Sequence, residues 1–142
     1  MHNKLVVIPC GASKLPTAAP AAELYTGSMF QDALRTARTM TTDDNIRILS
    51  AKHGLVRLDH VLEPYEMKMN HKDSVTGFRL VMQLIGLRFE GTIHTLLPKP
   101  YLYKIHNAAI ALNLSLVNHY EGCAGIGYQK ARLKQIREKA GK

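Results

Sequence analysis

Within a span of sixteen positions, Ser50, Lys52, His53, Gly54, Glu63 and Tyr65 gather a hydroxyl, an ammonium, an imidazole, a carboxylate and a phenol. They follow the apolar run Ile46 to Leu49, which reads as a buried strand. Open α/β sheets build their sites where strands end, so this stretch is where chemistry is expected first. Lys52 beside His53 should push the imidazole pKa down, leaving a neutral ring able to accept a proton near pH 7. Pro64 stiffens the chain around Glu63 and limits where its carboxylate points. The plainer reading is a hairpin turn at Gly54-Leu55 with Glu63 as a surface residue.

Three further groups can carry chemistry. Pro9-Cys10-Gly11-Ala12-Ser13-Lys14 leaves the first apolar run, Leu5 to Ile8, with small residues whose amides can face a ligand. Lys14 can bind phosphate or act in acid–base or nucleophilic chemistry, and Cys10 is a nucleophile only with a lowered pKa. The glycine spacing fits neither a Walker loop nor a dinucleotide fingerprint. Tyr25-Thr26-Gly27-Ser28 offers a ring for stacking and a serine to cap a helix or meet a ligand. Glu121 to Gly127 is glycine-rich, and Gly125 and Gly127 open a basic helix bearing Lys130, Arg132, Lys134 and Arg137. Such a segment suits contact with a nucleic-acid backbone, or equally a tight turn and a solvated face. His60, His71, His94, His106 and His119 form no HxxxH or HxH spacing, so no metal and no cofactor are expected.

The elements that must position these residues alternate. Helices are expected from Ser28 to about Met40, from Asp73 or Ser74 to about Glu90, from Tyr101 to about Asn113, and from Gly127 onward. The first should bury Phe30, Ala33, Leu34 and Ala37, and the second Phe78, Val81, Met82 and Ile85. Strands are expected at Leu5 to Ile8, Ile46 to Leu49, Thr92 to Leu97 and Leu114 to Val117. This order implies one α/β domain over residues 1–142, with a mostly parallel sheet of about four strands and helices on both faces.

The 142 residues carry a net charge of +8, which favours a polyanionic partner, with nucleic acid the leading candidate. Two cysteines make no disulfide framework, so a reduced, cytoplasmic setting is expected. The Leu5 to Ile8 run is far too short for a signal peptide or a membrane span.

Ile-Leu-Ser-Ala-Lys-His-Gly-Leu, the later Glu-Pro-Tyr-Glu-Met, Tyr25-Thr26-Gly27 and the first strand with its Ser and Lys resemble the signature of the YaaA superfamily. The likeness is greatest to its short bacterial and phage members of unknown function. It implies this fold and affinity for nucleic acid, DNA rather than RNA. A fainter likeness, to the core of archaeosine synthase, rests on Pro9-Cys10, Lys14, Tyr25 and Ser28. It requires Leu15 to Leu24 to be an inserted loop, and Gln31 stands where that signature ends in histidine. This likeness implies a pocket for a nucleobase.

The leading expectation is an enzyme acting on a nucleobase in nucleic acid, by base modification or by cleavage or exchange of the N-glycosidic bond. The alternatives are a non-catalytic DNA-binding stress protein and a nucleotide-binding module. Lys14, Ser50, Lys52, His53 and Glu63 form the expected catalytic set. Cys10, Gly11, Ser13, Tyr25, Ser28, Gly54 and Tyr65 are the expected substrate contacts.

Overall fold

The computed structural model describes residues 4–141. In chain order they form β1 (Lys4–Pro9), β2 (Ala19–Pro20), α1 (Ala21–Leu24), α2 (Ser28–Met40), β3 (Ile46–Ser50) and β4 (Gly54–Arg57). There follow β5 (Val61–Leu62), α3 (Gly77–Leu87), β6 (Thr92–Thr95), α4 (Lys99–Ala111), β7 (Ser115–Asn118) and α5 (Ile126–Ala140). The sheet has five strands in the order β4-β3-β1-β6-β7, one more than expected. The additional strand is β4, antiparallel to β3, with Ser50 opposite Gly54. Gly54 has φ +74°, a conformation that lets the chain reverse over Ala51 to His53 without strain. The turn at Gly54 is therefore a hairpin, and the polar residues sit on it.

β3, β1, β6 and β7 run parallel. Alternate residues of β1 point to opposite faces and seed two cores. Val6 and Ile8 pack with Phe30, Ala33, Leu34 and Ala37 of α2 and Leu133 of α5. Leu5 and Val7 pack with Leu80 and Leu84 of α3 and Ile105, Ala108 and Ala109 of α4. Burial on both faces explains the continuous apolar reading of β1. Among the described residues, no helix is long and apolar enough to cross a membrane.

Two helices are capped differently from expectation. Gly27 occupies the N-cap of α2, so Ser28 is its first helical residue and caps nothing through its side chain. Thr76, not Asp73 or Ser74, caps α3 by accepting the Arg79 amide, while the Ser74 hydroxyl donates to the Met69 carbonyl at 2.8 Å. The α3 face is also rotated. Leu80 and Leu84 are buried, Val81 is half-buried, and Phe78, Met82 and Ile85 are exposed, Phe78 to 75%. Both stripes have helical spacing, and packing against α4 and β4 selects the leucines. Leu80→Ala should cost about 2–5 kcal/mol and Met82→Ala under about 1 kcal/mol in urea unfolding, and a reversed order would overturn this packing.

The parallel register of β6 and β7 brings His94 and His119 together, with Nδ1 to Nε2 at 2.8 Å and the rings stacked. Burial, then His119, then Lys4 hold the His94 pKa down at about 4. Burial, Lys4 and Arg132 lower that of His119 as well. Both rings are therefore neutral at pH 7. Between pH 6.5 and 4 the unfolded chain takes up a proton that folded His94 refuses, so stability falls as pH falls through that window. His94→Asn should flatten this slope in denaturation series at stepped pH.

Candidate active site

Four parallel strands in the order β3-β1-β6-β7 reverse direction of travel between β1 and β6, and ligands of such sheets sit in the crevice opened there. A cavity of about 310 Å³ occupies that place, at the lower end of the ~300–1,000 Å³ usual for small-molecule sites. Cys10, Gly11, Ala12 and Lys14 line it from the end of β1, Pro100 and Tyr101 from the start of α4. Glu66, Met67, Lys68, Met69 and Asn70 close it as a strap. Cys10 Sγ and Tyr101 Oη meet across the crevice at 3.4 Å.

The first wall depends on how residues 10–26 fold. The amide of Leu15 donates to Leu24 O and that of Thr26 to Ser13 O, both at 2.9 Å. Lys14 thus lies opposite Tyr25 in an antiparallel bridge, and Leu15 to Leu24 form an excursion closed at its neck. Ser13 contributes its carbonyl to this neck, and its side chain is exposed, as is Ser28.

Behind the cavity stands a chain of buried hydroxyls. Ser50 Oγ and Tyr65 Oη are 2.6 Å apart, and so are Tyr65 Oη and Tyr25 Oη. Ser50 Oγ also accepts the amides of His53 at 3.0 Å and Lys52 at 3.2 Å. With its lone pairs engaged, Ser50 donates to Tyr65, and Tyr65 in turn donates to Tyr25. Gln83 of α3 secures the same hairpin, accepting from the Leu55 amide at 2.8 Å and donating to the His53 carbonyl at 3.0 Å. A Cβ at Gly54 would overlap that Gln83 side chain, a second reason for glycine there.

Burial pushes the Tyr25 pKa up to about 12. Burial and then the nearby Cys10 thiol raise those of Tyr65 and Tyr101 further. All three phenols stay protonated at neutral pH and act as hydrogen-bonding and packing groups. His53 is lowered, chiefly by burial and then by Lys52, Arg79 and His60, so its imidazole is neutral as the sequence implies. Its ring meets Tyr65 edge-on at 5.3 Å.

The structure thus brings together Cys10, Gly11, Lys14, Tyr25, Ser50, Lys52, His53, Gly54 and Tyr65. Glu63 stands apart: it is exposed, joins no described hydrogen bond or ion pair, and does not line the cavity. The carboxylate that does is Glu66, because the extended chain after Pro64 turns Tyr65 inward and carries the next residue to the opening. Gly125 and Gly127 lie away from this cavity, at the start of α5. Arg132 donates to the carbonyls of His119 at 2.6 Å and Glu121 at 3.2 Å, and Arg137 to Thr36 Oγ1 at 2.7 Å. Those two guanidiniums clamp α5 to the fold. Lys130 is exposed, and Lys134 reaches Glu138 at 3.9 Å.

A family described as of unknown function, DUF6884, matches residues 5–135. The chain belongs to DUF6884. No curated protein matches it. The matched span of this DUF6884 chain contains every residue of the cavity. Tyr101 and Glu66 escaped the sequence reading, although Pro98-Lys99-Pro100 marks the end of the strand beside β1, where the crevice had to open.

Tyr65→Phe removes the central link of the hydroxyl chain and strands two buried groups. It should cost about 1–3 kcal/mol in chemical denaturation, whereas Glu63→Gln should stay within about 0.5 kcal/mol of the parent. A neutral Tyr65→Phe would mean that the hydroxyl chain does not stabilise the fold.

Proposed function

We propose that this protein is an enzyme acting on a nucleobase within nucleic acid, by modifying the base or by cleaving or exchanging its N-glycosidic bond. The observation that carries the reading is the cavity at the β1/β6 crevice. It sets an apolar slot of Met67, Met69, Pro100 and the Tyr101 ring against Cys10, Lys14 and Glu66. A flat heterocycle suits such a slot, since methionine and aromatic faces grip it without directional demands.

A carboxylate beside the sugar, here Glu66, can stabilise developing positive charge or activate water, as in glycoside hydrolysis. Cys10 supplies the thiol of the slot, the group that would meet the base in a modification reaction. His53 stands behind the Tyr65 ring and outside the cavity lining, so it supports the site and does not exchange a proton with the occupant. The net charge of +8 favours a polyanion, and a base in a duplex would have to be flipped out to enter.

The likeness to archaeosine synthase supports the same substrate class. With Leu15 to Leu24 closed at the neck, Lys14 adjoins Tyr25 as in an uninterrupted Pro-Cys-x-x-x-Lys-Tyr-x-x-Ser signature. The YaaA likeness favours DNA as the carrier.

Incubation with unmodified and modified DNA and with tRNA, followed by mass spectrometry of bases and nucleosides, tests the reading. A new base or nucleoside should form, and Cys10→Ala or Glu66→Gln should lower its rate about 10²-fold or more at unchanged nucleic-acid affinity. Salt-dependent DNA binding without product, unaltered in both variants, would instead identify a non-catalytic binder.

A further inference from the structure

We infer that Lys14 and Lys52 form a clamp for a phosphate group over the Tyr65 ring, beside the cavity that Lys14 lines, so that the unit recognised is a nucleotide and not a bare base. This rests on the nucleobase reading for the occupant of the slot, but the clamp has its own evidence. The two lysines come from different loops, one after β1 and one in the β3–β4 turn, and converge on one aromatic ring. Lys14 Nζ lies 4.8 Å from the centroid of the Tyr65 ring and Lys52 Nζ 5.9 Å from it. Lys14 Nζ is also 5.8 Å from the Tyr25 ring and donates to Ala12 O at 3.2 Å, which fixes its position.

Neither ammonium has a carboxylate partner among the described ion pairs. A third cation adds to the field, since the Arg79 guanidinium donates to the Lys52 carbonyl at 3.4 Å. The cavity that Lys14 lines holds the Glu66 carboxylate, on the strap, and a further lysine, Lys68. Two ammonium groups held toward one ring both add positive potential there, and that potential attracts an anion. Lysine suits this task as a compact point charge with three donors. The buried hydroxyl chain keeps the Tyr65 ring in place, so the surface that both lysines approach is set by the core and not by the loops alone.

The phosphate can belong to a free nucleotide or to a polynucleotide backbone. Calorimetric titration of the full chain at low salt distinguishes these. The probes are inorganic phosphate, the four common nucleosides, their 5′-monophosphates and short single-stranded oligonucleotides. At least one monophosphate should bind tenfold or more tightly than its nucleoside, with the advantage shrinking as salt rises. Lys14→Gln and Lys52→Gln should each remove most of that advantage, read as the ratio of monophosphate to nucleoside affinity. Lys52 is exposed, so Lys52→Gln carries the test even if Lys14→Gln disturbs its loop.

Oligonucleotides binding more tightly than monophosphates would assign the clamp to a backbone diester, and the reverse to a free nucleotide. Lysine-dependent binding of inorganic phosphate without any nucleoside affinity would support the clamp while overturning the nucleobase reading. Equal affinities for nucleosides and monophosphates, or no binding of any phosphate-bearing probe, would overturn the clamp.

Discussion

The hydrogen bonds joining Ser50, Tyr65 and Tyr25 connect three segments that the chain's own order keeps far apart. Ser50 ends the strand beside the central one, Tyr65 lies on the strap after β5, and Tyr25 precedes α2. All three side chains are buried, so breaking one bond leaves a hydroxyl without water and without a partner. That cost fixes the strap against the sheet. The strap in turn makes the crevice between β1 and β6 a cavity instead of an open notch. Lys14 and Lys52 lie over the Tyr65 ring and His53 meets it edge-on, so all three face a surface that the hydroxyl chain holds.

The electrostatics follow from this arrangement. The phenols are too buried to ionise near neutrality, and burial first, then the neighbouring cations, keep His53 neutral. Ready positive charge at the opening therefore comes from lysines, and the cavity's one carboxylate from Glu66. The basic C-terminal helix is less free than its composition suggests, because Arg132 and Arg137 are spent on carbonyls and a threonine of the fold.

Much of the architecture was legible because burial on both faces writes itself as unbroken apolar runs, as in Leu5 to Ile8. The α2 face was legible too, since only one of its stripes is apolar. The α3 face was not: Phe78-Met82-Ile85 and Leu80-Leu84-Leu87 are equally good helical stripes, and the choice lies in neighbours distant in sequence. Site residues next to strand ends, Cys10 to Lys14 and Ser50 to His53, announced themselves by the change from apolar to polar. Glu63 was favoured for its proline, yet alternation along an extended chain put Tyr65 inside and Glu66 at the opening. The pairing of His94 with His119 depends on strand register, which spacing along the chain does not encode.

The closed neck at Lys14 and Tyr25 has a consequence for how this protein can change. Ala21 and Leu24 anchor the returning half of the excursion in the core, while residues 16–18 are exposed at its tip. Lengthening a loop whose ends are already pinned costs only a term that grows with the logarithm of its length. The tip is therefore a place where relatives can gain or lose residues, and where a label or a binding peptide can be spliced in, while the cavity wall keeps its geometry.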